Sequence, residues 1–303
     1  MLGSRKAERT PTPTAVPSLS DPAELAKVMA TVARDACLDT QAIKRSLPDV
    51  AVEVMALCQQ SFSDALRIEK AISRDPFISA QIVSVANSPM FAPRMPIASV
   101  RDAIVRIGLS NVNDIVLMVV TSSTMFRIHG FEEHVTQVTA RFPATGLAAR
   151  LIAASLRLPV ETAFTAGLLH DIGDLVLLDR SVRTGKVRPE MAHEPVMASV
   201  ILDALRAHHC KVGAAVCTAW RLPASTVEAA AHHHDYKLGG HRFSANLVAA
   251  ADAFADAMGI GTPARRTLDP AEAVFLDLGL KPDQMMAALA QFEKLLPSVR
   301  IAT

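Results

Sequence analysis

Aromatic residues are scarce. One Trp and one Tyr stand among 303 residues, and Phe, Trp and Tyr together make 4% of the chain. The core must therefore be built from Leu, Ile, Val, Met and Ala, side chains that suit closely packed helices. Thirteen Gly and eighteen Pro leave long stretches without a breaker. Runs of alternating β-branched residues are also rare, which argues against an extended sheet and leaves the chain reading as helix throughout. Charge of one sign is lacking too: 31 Lys and Arg face 30 Asp and Glu, for a net charge of +1. The molecule exerts little pull on polyanions, which excludes a dedicated DNA-binding module and leaves no direct nucleic-acid partner to expect. The basic patch Arg5-Lys6-Ala7-Glu8-Arg9 lies among prolines and reads as a solvated tail.

Cysteine is sparse, at 37, 58, 210 and 217, with no CxxC pair and no secretory leader. That pattern places the chain in a reducing compartment, so free thiols in a cytoplasmic protein are expected. The longest apolar run, from Ile115 to Met125, is too short and too rich in hydroxyls to span a bilayer, and no membrane insertion is expected. GxSxG, GxxxxGK[ST] and HExxH are all absent, and Gly259-Ile260-Gly261 lacks the strand and helix of a dinucleotide loop. No catalytic residue and no bound nucleotide cofactor is assigned.

What is present is a series of helix starts and stops. Ser20 or Asp21 can cap a helix over 22–36, with Pro22 in its first turn. LPDVAVEVMALCQQ supplies a second helix and residues 64–73 a short third. Asp75 caps the next, Pro76 opens it, Ile78, Ile82 and Val85 face the core, and Pro89 prevents continuation. Ser99 caps SVRDAIVRI, with Gly108 as its stop. Further helices are expected over 111–126, 132–158, 161–178, 194–207, 209–219, 224–233, 243–258 and 282–296. The last carries the stripe Met285, Leu289, Phe292 and Leu296, which reads as core packing.

Eight of the ten histidines fall at or beyond position 170, at 170, 193, 208, 209, 232, 233, 234 and 241. In Gly167-Leu168-Leu169-His170-Asp171-Ile172-Gly173 an apolar helix is interrupted by two ionisable residues, and a carboxylate there needs a metal, a hydrogen-bond network or solvent. His209, expected at a helix start, His233 and His234 at a helix end, and Asp252 inside NLVAAADAFA are the residues that join them. Two readings remain open on chemistry alone: a satisfied polar seam between helices, or a ligand set of His170, Asp171, His209, His233, His234 and Asp252. Such a set takes a divalent metal, iron, manganese or zinc. Cys210 and Cys217, at i and i+7 on one helix face, could assist a soft metal because Cys210 adjoins His209, but two small buried hydrophobes is the preferred reading.

Several ordered blocks, SRDPFISAQIVSVANSPMF, PIASVRDAIVRIGLSNVNDIVL, AFTAGLLHDIGDLVLL, HCKVGAAVCTAWRLP and VEAAAHHHD, closely resemble the HDOD family, the HD-related output domain of bacterial signalling proteins, over about residues 43–255. The resemblance implies an all-α, two-lobed helical fold with a degenerate HD-like second lobe. It divides the chain into a disordered tail over 1–22, a first lobe over 23–130, the HD-like lobe over 131–260 and a helical extension over 261–303. It also implies that the six residues named above derive from the metal site of HD and HD-GYP phosphohydrolases.

Two departures weigh against catalysis. Pro143 falls where an active HD protein has its first histidine, and proline offers neither an imidazole nor a backbone donor. The lysine of active HD-GYP pockets and the Gly-Tyr-Pro signature are both missing, Gly173 being followed by Asp174. The expectation is a regulatory signal-transduction protein, non-catalytic or weakly catalytic, that binds signalling proteins or a nucleotide second messenger. The alternatives are a metal-dependent phosphohydrolase or cyclic-dinucleotide phosphodiesterase, and a purely structural scaffold.

Overall fold

Short polar side chains start the first helices where local chemistry places them. In the computed structural model, which describes residues 21–39, 41, 43, 47–58, 60, 65–91, 95–123, 126–237, 240, 242–262 and 265–299, Asp21 accepts from the Ala23 amide and opens α1 (Pro22–Leu38). Helices α2 (Asp49–Cys58) and α3 (Ala65–Ile72) follow. Asp75 accepts from the amides of Phe77 and Ile78 at the start of α4 (Pro76–Ala86), satisfying two of the donors that a helix start leaves without partners. Ser99 accepts from the Asp102 amide and opens α5 (Val100–Ile107), which stops at Gly108. Helix α6 (Leu109–Ser123) carries the longest apolar run into the core. The expected tail, up to Ser20, lies outside the described residues, as do Asp64, the end of the apolar run at Thr124 and Met125, Leu238, Gly239 and His241.

The rest of the chain packs around α7 (Glu132–Ser155), which holds Pro143 in its interior and buries Phe142, Leu147 and Ile152. Helices α8 (Val160–Leu169) and α12 (Phe243–Ala257) lie against it, and so does α14 (Pro282–Leu295), whose Met285 and Phe292 are buried as the apolar stripe required. Helix α9 (Ile172–Arg183) packs on the long α10 (Pro195–Ala219), which in turn meets α1 and α11 (Ala224–His232). A single turn, α13 (Ala273–Leu276), inserts Phe275 beside Phe254 of α12. Among the described residues there is no β-strand, and no single helix is long and apolar enough to cross a membrane.

Two expectations are corrected. The helix read over 161–178 is two helices, broken at His170 and Asp171, and it runs on to Arg183 rather than ending at the polar residues from Asp179. The break coincides with a close approach: a methyl at Gly173 would lie 2.0 Å from the His209 carbonyl oxygen and 2.4 Å from the Gly213 amide nitrogen. Only glycine lets the start of α9 rest directly on the α10 backbone. Conversely, the two helices read over 194–207 and 209–219 are the single α10, so His209 stands in mid-helix and not at a start.

Candidate metal centre

The helix break aims the His-Asp pair. His170 follows the last residue of α8, Asp171 precedes the first residue of α9, and their side chains meet with Nε2 of His170 3.1 Å from Oδ2 of Asp171. His209 enters from the middle of α10, His233 and His234 from the residues after α11, and Asp252 from α12. All six residues singled out in the sequence gather here. Oδ1 of Asp171 is 3.4 Å from Nε2 of His209 and 3.3 Å from Nε2 of His233, and Oδ1 of Asp252 is 3.4 Å from Nε2 of His170. Nε2 of His209 is 3.2 Å from Nε2 of His234 and 3.3 Å from that of His233. His193, His208 and His232 do not join the cluster.

The backbone fixes how three of the rings present themselves. Nδ1 of His170 donates to the Gly167 carbonyl at 2.8 Å, Nδ1 of His209 to the carbonyls of Arg206 and Leu205 at 3.0 and 3.1 Å, and Nδ1 of His233 to the Ala229 carbonyl at 3.1 Å. A carbonyl can only accept, so each Nδ1 carries the proton, and in the neutral ring each Nε2 presents its lone pair to the common centre. Metal-binding histidines are commonly held in this way, by a fixed acceptor behind the ring. Nε2 of His170 is wholly buried and forms no well-directed hydrogen bond, despite the two carboxylates within reach. A buried donor set of imidazoles and carboxylates with one such nitrogen fits a divalent ion of the zinc, iron or manganese type. His209 and His233 form the floor of the site, 4% and 3% exposed, while His234 faces solvent.

Electrostatics couple these groups. Burial works against a charged His170, but Asp171 and Asp252 outweigh it and raise its pKa to about 9. His233 is likewise raised against its burial, chiefly by Asp171, and His209 by Cys210 and Asp171. Asp171 is held well below the usual carboxylate range, since His170 and His233 overcome the cost of burying its charge. His234 goes the other way: burial and the neighbouring His233 and His209 lower its pKa to about 4.

Two participants escaped the sequence reading, and a third was read there chiefly as apolar filling. Arg141 on α7 donates to Asp252 through Nη2 and to Asp256 through Nη1 at 2.8 Å, and Nη1 also reaches the Ile260 carbonyl at 3.0 Å. Its only trace in the sequence is a lone cation beside the buried Phe142 and Pro143. His134, two turns earlier on α7, lies 2.6 Å from Oδ1 of Asp174, so the acid that follows Gly173 has its own partner. Cys210, expected as apolar filling, lies with Sγ 3.3 Å from Nε2 of His209. Burial opposes its ionisation, yet His209 and His233 lower its pKa to about 6. Cys217 is buried as expected, and burial raises its pKa to about 12.

A profile of the HDOD domain matches residues 45–236, a span that includes the first five site residues and stops short of Asp252. Three crystal structures share the fold. One is a protein of Shewanella amazonensis SB2B provisionally assigned as a metal-dependent phosphohydrolase, 21% identical with a TM-score of 0.67 over 93% of this chain and 100% of that one. Another is an HDOD domain protein of unknown function from Geobacter sulfurreducens, 18% identical with a TM-score of 0.59 over 88% and 96%. The third is a provisionally assigned signal transduction protein from Marinobacter aquaeolei VT8, 18% identical with a TM-score of 0.60 over 92% and 67%. At these identities the likeness is one of fold. No curated protein matches the chain.

Proposed function

Because the chain belongs to the HDOD family, we propose that it is a regulatory signal-transduction protein that holds a divalent metal ion and has little or no hydrolytic power. In this reading the fold divides into a first lobe over about 23–130 and a degenerate HD-like lobe over about 131–260, with the remaining helices as an extension. His170, Asp171, His209, His233, His234 and Asp252 are its ligand set. Signalling proteins are its partners, and a nucleotide second messenger is its candidate small ligand. The four free thiols fit a reducing, cytoplasmic setting.

One observation carries the metal reading. Nε2 atoms from three separate helical segments converge within 3.4 Å of one another or of the Asp171 carboxylate, and three of those rings are locked from behind by backbone carbonyls. A divalent ion bound there would acidify a water and offset negative charge on a phosphoryl group. The second reading, a phosphohydrolase, draws on the half-buried Asp171 and the exposed His234, which open the cluster to solvent. Against it stands Pro143 at the position of the first histidine, because a misplacement of about 1 Å at a reacting atom can cost roughly a hundredfold in rate.

Calorimetric titration of tag-free, chelator-stripped protein with iron, manganese and zinc, paired with product assays on cyclic dinucleotides and simple phosphodiesters, tests both. Binding with little turnover is expected. Rapid turnover that disappears in Asp171→Asn establishes the phosphohydrolase, and no binding of any of the three ions leaves the scaffold.

A further inference from the structure

We infer that Cys210 is a metal ligand, completing with His209, His233 and His234 a four-donor site for a thiophilic cation of the zinc type. The inference rests on the proposal that this cluster holds a metal, and it goes beyond it by naming a donor outside the His-Asp set and the class of ion that the donor selects.

The geometry is centred on Nε2 of His209. Three donors surround that atom: Nε2 of His234 at 3.2 Å, Nε2 of His233 at 3.3 Å and Sγ of Cys210 at 3.3 Å. One donor atom from each of the four residues lies within 4.8 Å of all the others. Around a tetrahedral zinc with nitrogens at about 2.0–2.1 Å, two nitrogens stand about 3.3 Å apart, and a nitrogen and a thiolate at 2.3 Å about 3.5 Å apart. The three separations from His209 are therefore the edges of such a tetrahedron, already close to length before any ion is bound. Asp171 reaches the same two buried imidazoles through Oδ1, at 3.4 and 3.3 Å, from the side of α9. Asp252 does not enter this set, being engaged by Arg141.

A second, independent feature points the same way. His209 and His233 are more than nine-tenths buried, and their Nδ1–H groups are committed to carbonyls. Their Nε2 atoms are turned toward each other and toward Asp171, and that of His209 toward the sulfur as well, which also lies 4.0 Å from Nδ1 of His233. Three imidazoles and one thiolate form a borderline-soft donor set. Magnesium and calcium prefer oxygen, whereas zinc takes nitrogen and thiolate together. Sequence adjacency contributes: His209 and Cys210 follow each other on α10, and both meet the residues just after the C-terminal end of α11.

Cobalt(II) titration of the tag-free, chelator-stripped full chain tests the assignment, because a thiolate bound to cobalt gives a charge-transfer band in the near ultraviolet that imidazole and carboxylate ligands do not. The wild type is expected to show that band together with intense visible ligand-field bands. Cys210→Ser is expected to lose the charge-transfer band, to keep weaker visible bands, and to bind zinc at least tenfold more weakly. Visible bands without the charge-transfer band in the wild type, or a band that persists in Cys210→Ser, would remove Cys210 from the site while leaving the metal reading intact. Binding of neither cobalt nor zinc would remove both. A measurement on the wild type guards against a variant that fails to fold: zinc should slow alkylation of Cys210 at least tenfold while leaving Cys37 and Cys58 unchanged, as located by peptide mass spectrometry. Equal alkylation with and without zinc overturns the inference.

Discussion

Gly173→Ala should damage both the fold and the metal site. The added methyl would lie 2.0 Å from the His209 carbonyl oxygen, 2.4 Å from the Gly213 amide nitrogen and 2.9 Å from its Cα. All three atoms are backbone, so no flexible side chain can swing away. Ordinary contact needs about 3.5 Å, so the start of α9 must draw back from α10 by about 1 Å or more. Overpacking of this kind costs about 1–3 kcal/mol, and the rigidity of both partners puts the expected loss near 3 kcal/mol. In a domain of this size that lowers the melting temperature by about 6 °C or more.

The same displacement carries Asp171 away from His209 and His233, so zinc affinity should fall at least tenfold. Gly213→Ala is the matched control, because its methyl meets nothing nearer than 3.5 Å and sits in a helix interior where Ala gains up to about 1 kcal/mol over Gly. Thermal unfolding and calorimetric zinc titration of both variants decide the matter. If Gly173→Ala melts with the wild type, or if Gly213→Ala falls equally far, the close-approach argument is refuted.

Asp171→Asn should weaken zinc binding at least tenfold without moving the far-ultraviolet dichroism, since it removes a charge from the cluster and not a packing group. Unchanged affinity by calorimetry would show that Asp171, though beside the His209 and His233 rings, adds nothing to metal binding. Arg141→Met should cost about 3 kcal/mol by leaving two partly buried carboxylates, Asp252 and Asp256, without their cation. The double variant with Asp252→Asn should recover part of that loss in urea denaturation, and strict additivity would refute the coupling. The raised His170 stabilises the metal-free fold fully below about pH 6.5, and that contribution is lost as pH rises through about 9. The loss is on the order of 3 kcal/mol. Zinc requires deprotonated imidazoles and should reverse the trend, so melting temperatures at about pH 6 and about pH 9 should move in opposite directions with and without the metal. Parallel shifts would contradict the reading.

Local chemistry made the first helices legible. The caps at Asp75 and Ser99 act within three residues, and the structure places both helices where those caps lie. The break at His170 and Asp171 was not legible as a helix end, because two ionisable residues can also sit inside one continuous helix, and the α10 backbone that lies against Gly173 at the break comes some forty residues later. The opposite error at His208 and His209 has a related origin. From sequence one helix is expected to end before them and another to begin at His209, whereas α10 runs through and its own carbonyls satisfy the buried Nδ1 of His209. Six polar residues that no apolar core would tolerate singly could be picked out one by one. Arg141 could not, since its partner Asp252 lies 111 residues later in the chain.

That partnership bears on the proposal that this chain holds a metal with little hydrolysis. Asp252 is the carboxylate deepest in α12, and a divalent ion bound to it would supply positive charge and could acidify a water. Arg141 supplies positive charge there from the chain itself, held in place by Asp256 and the Ile260 carbonyl. A guanidinium neutralises a carboxylate well, but it has no open coordination position and keeps its protons in water. The arrangement therefore satisfies the electrostatic need of Asp252 without supplying the chemistry that hydrolysis requires. Pro143, two residues along the same helix, brings no donor to replace it. On the other side of His170 the imidazoles of His209 and His233 keep their fixed backs, with His234 beside them. An ion can still be held there. On the proposed reading, the part of the site beside Asp252 would lack an activated water, and a cluster that held a metal without turning over substrate would suit reporting that metal to another protein.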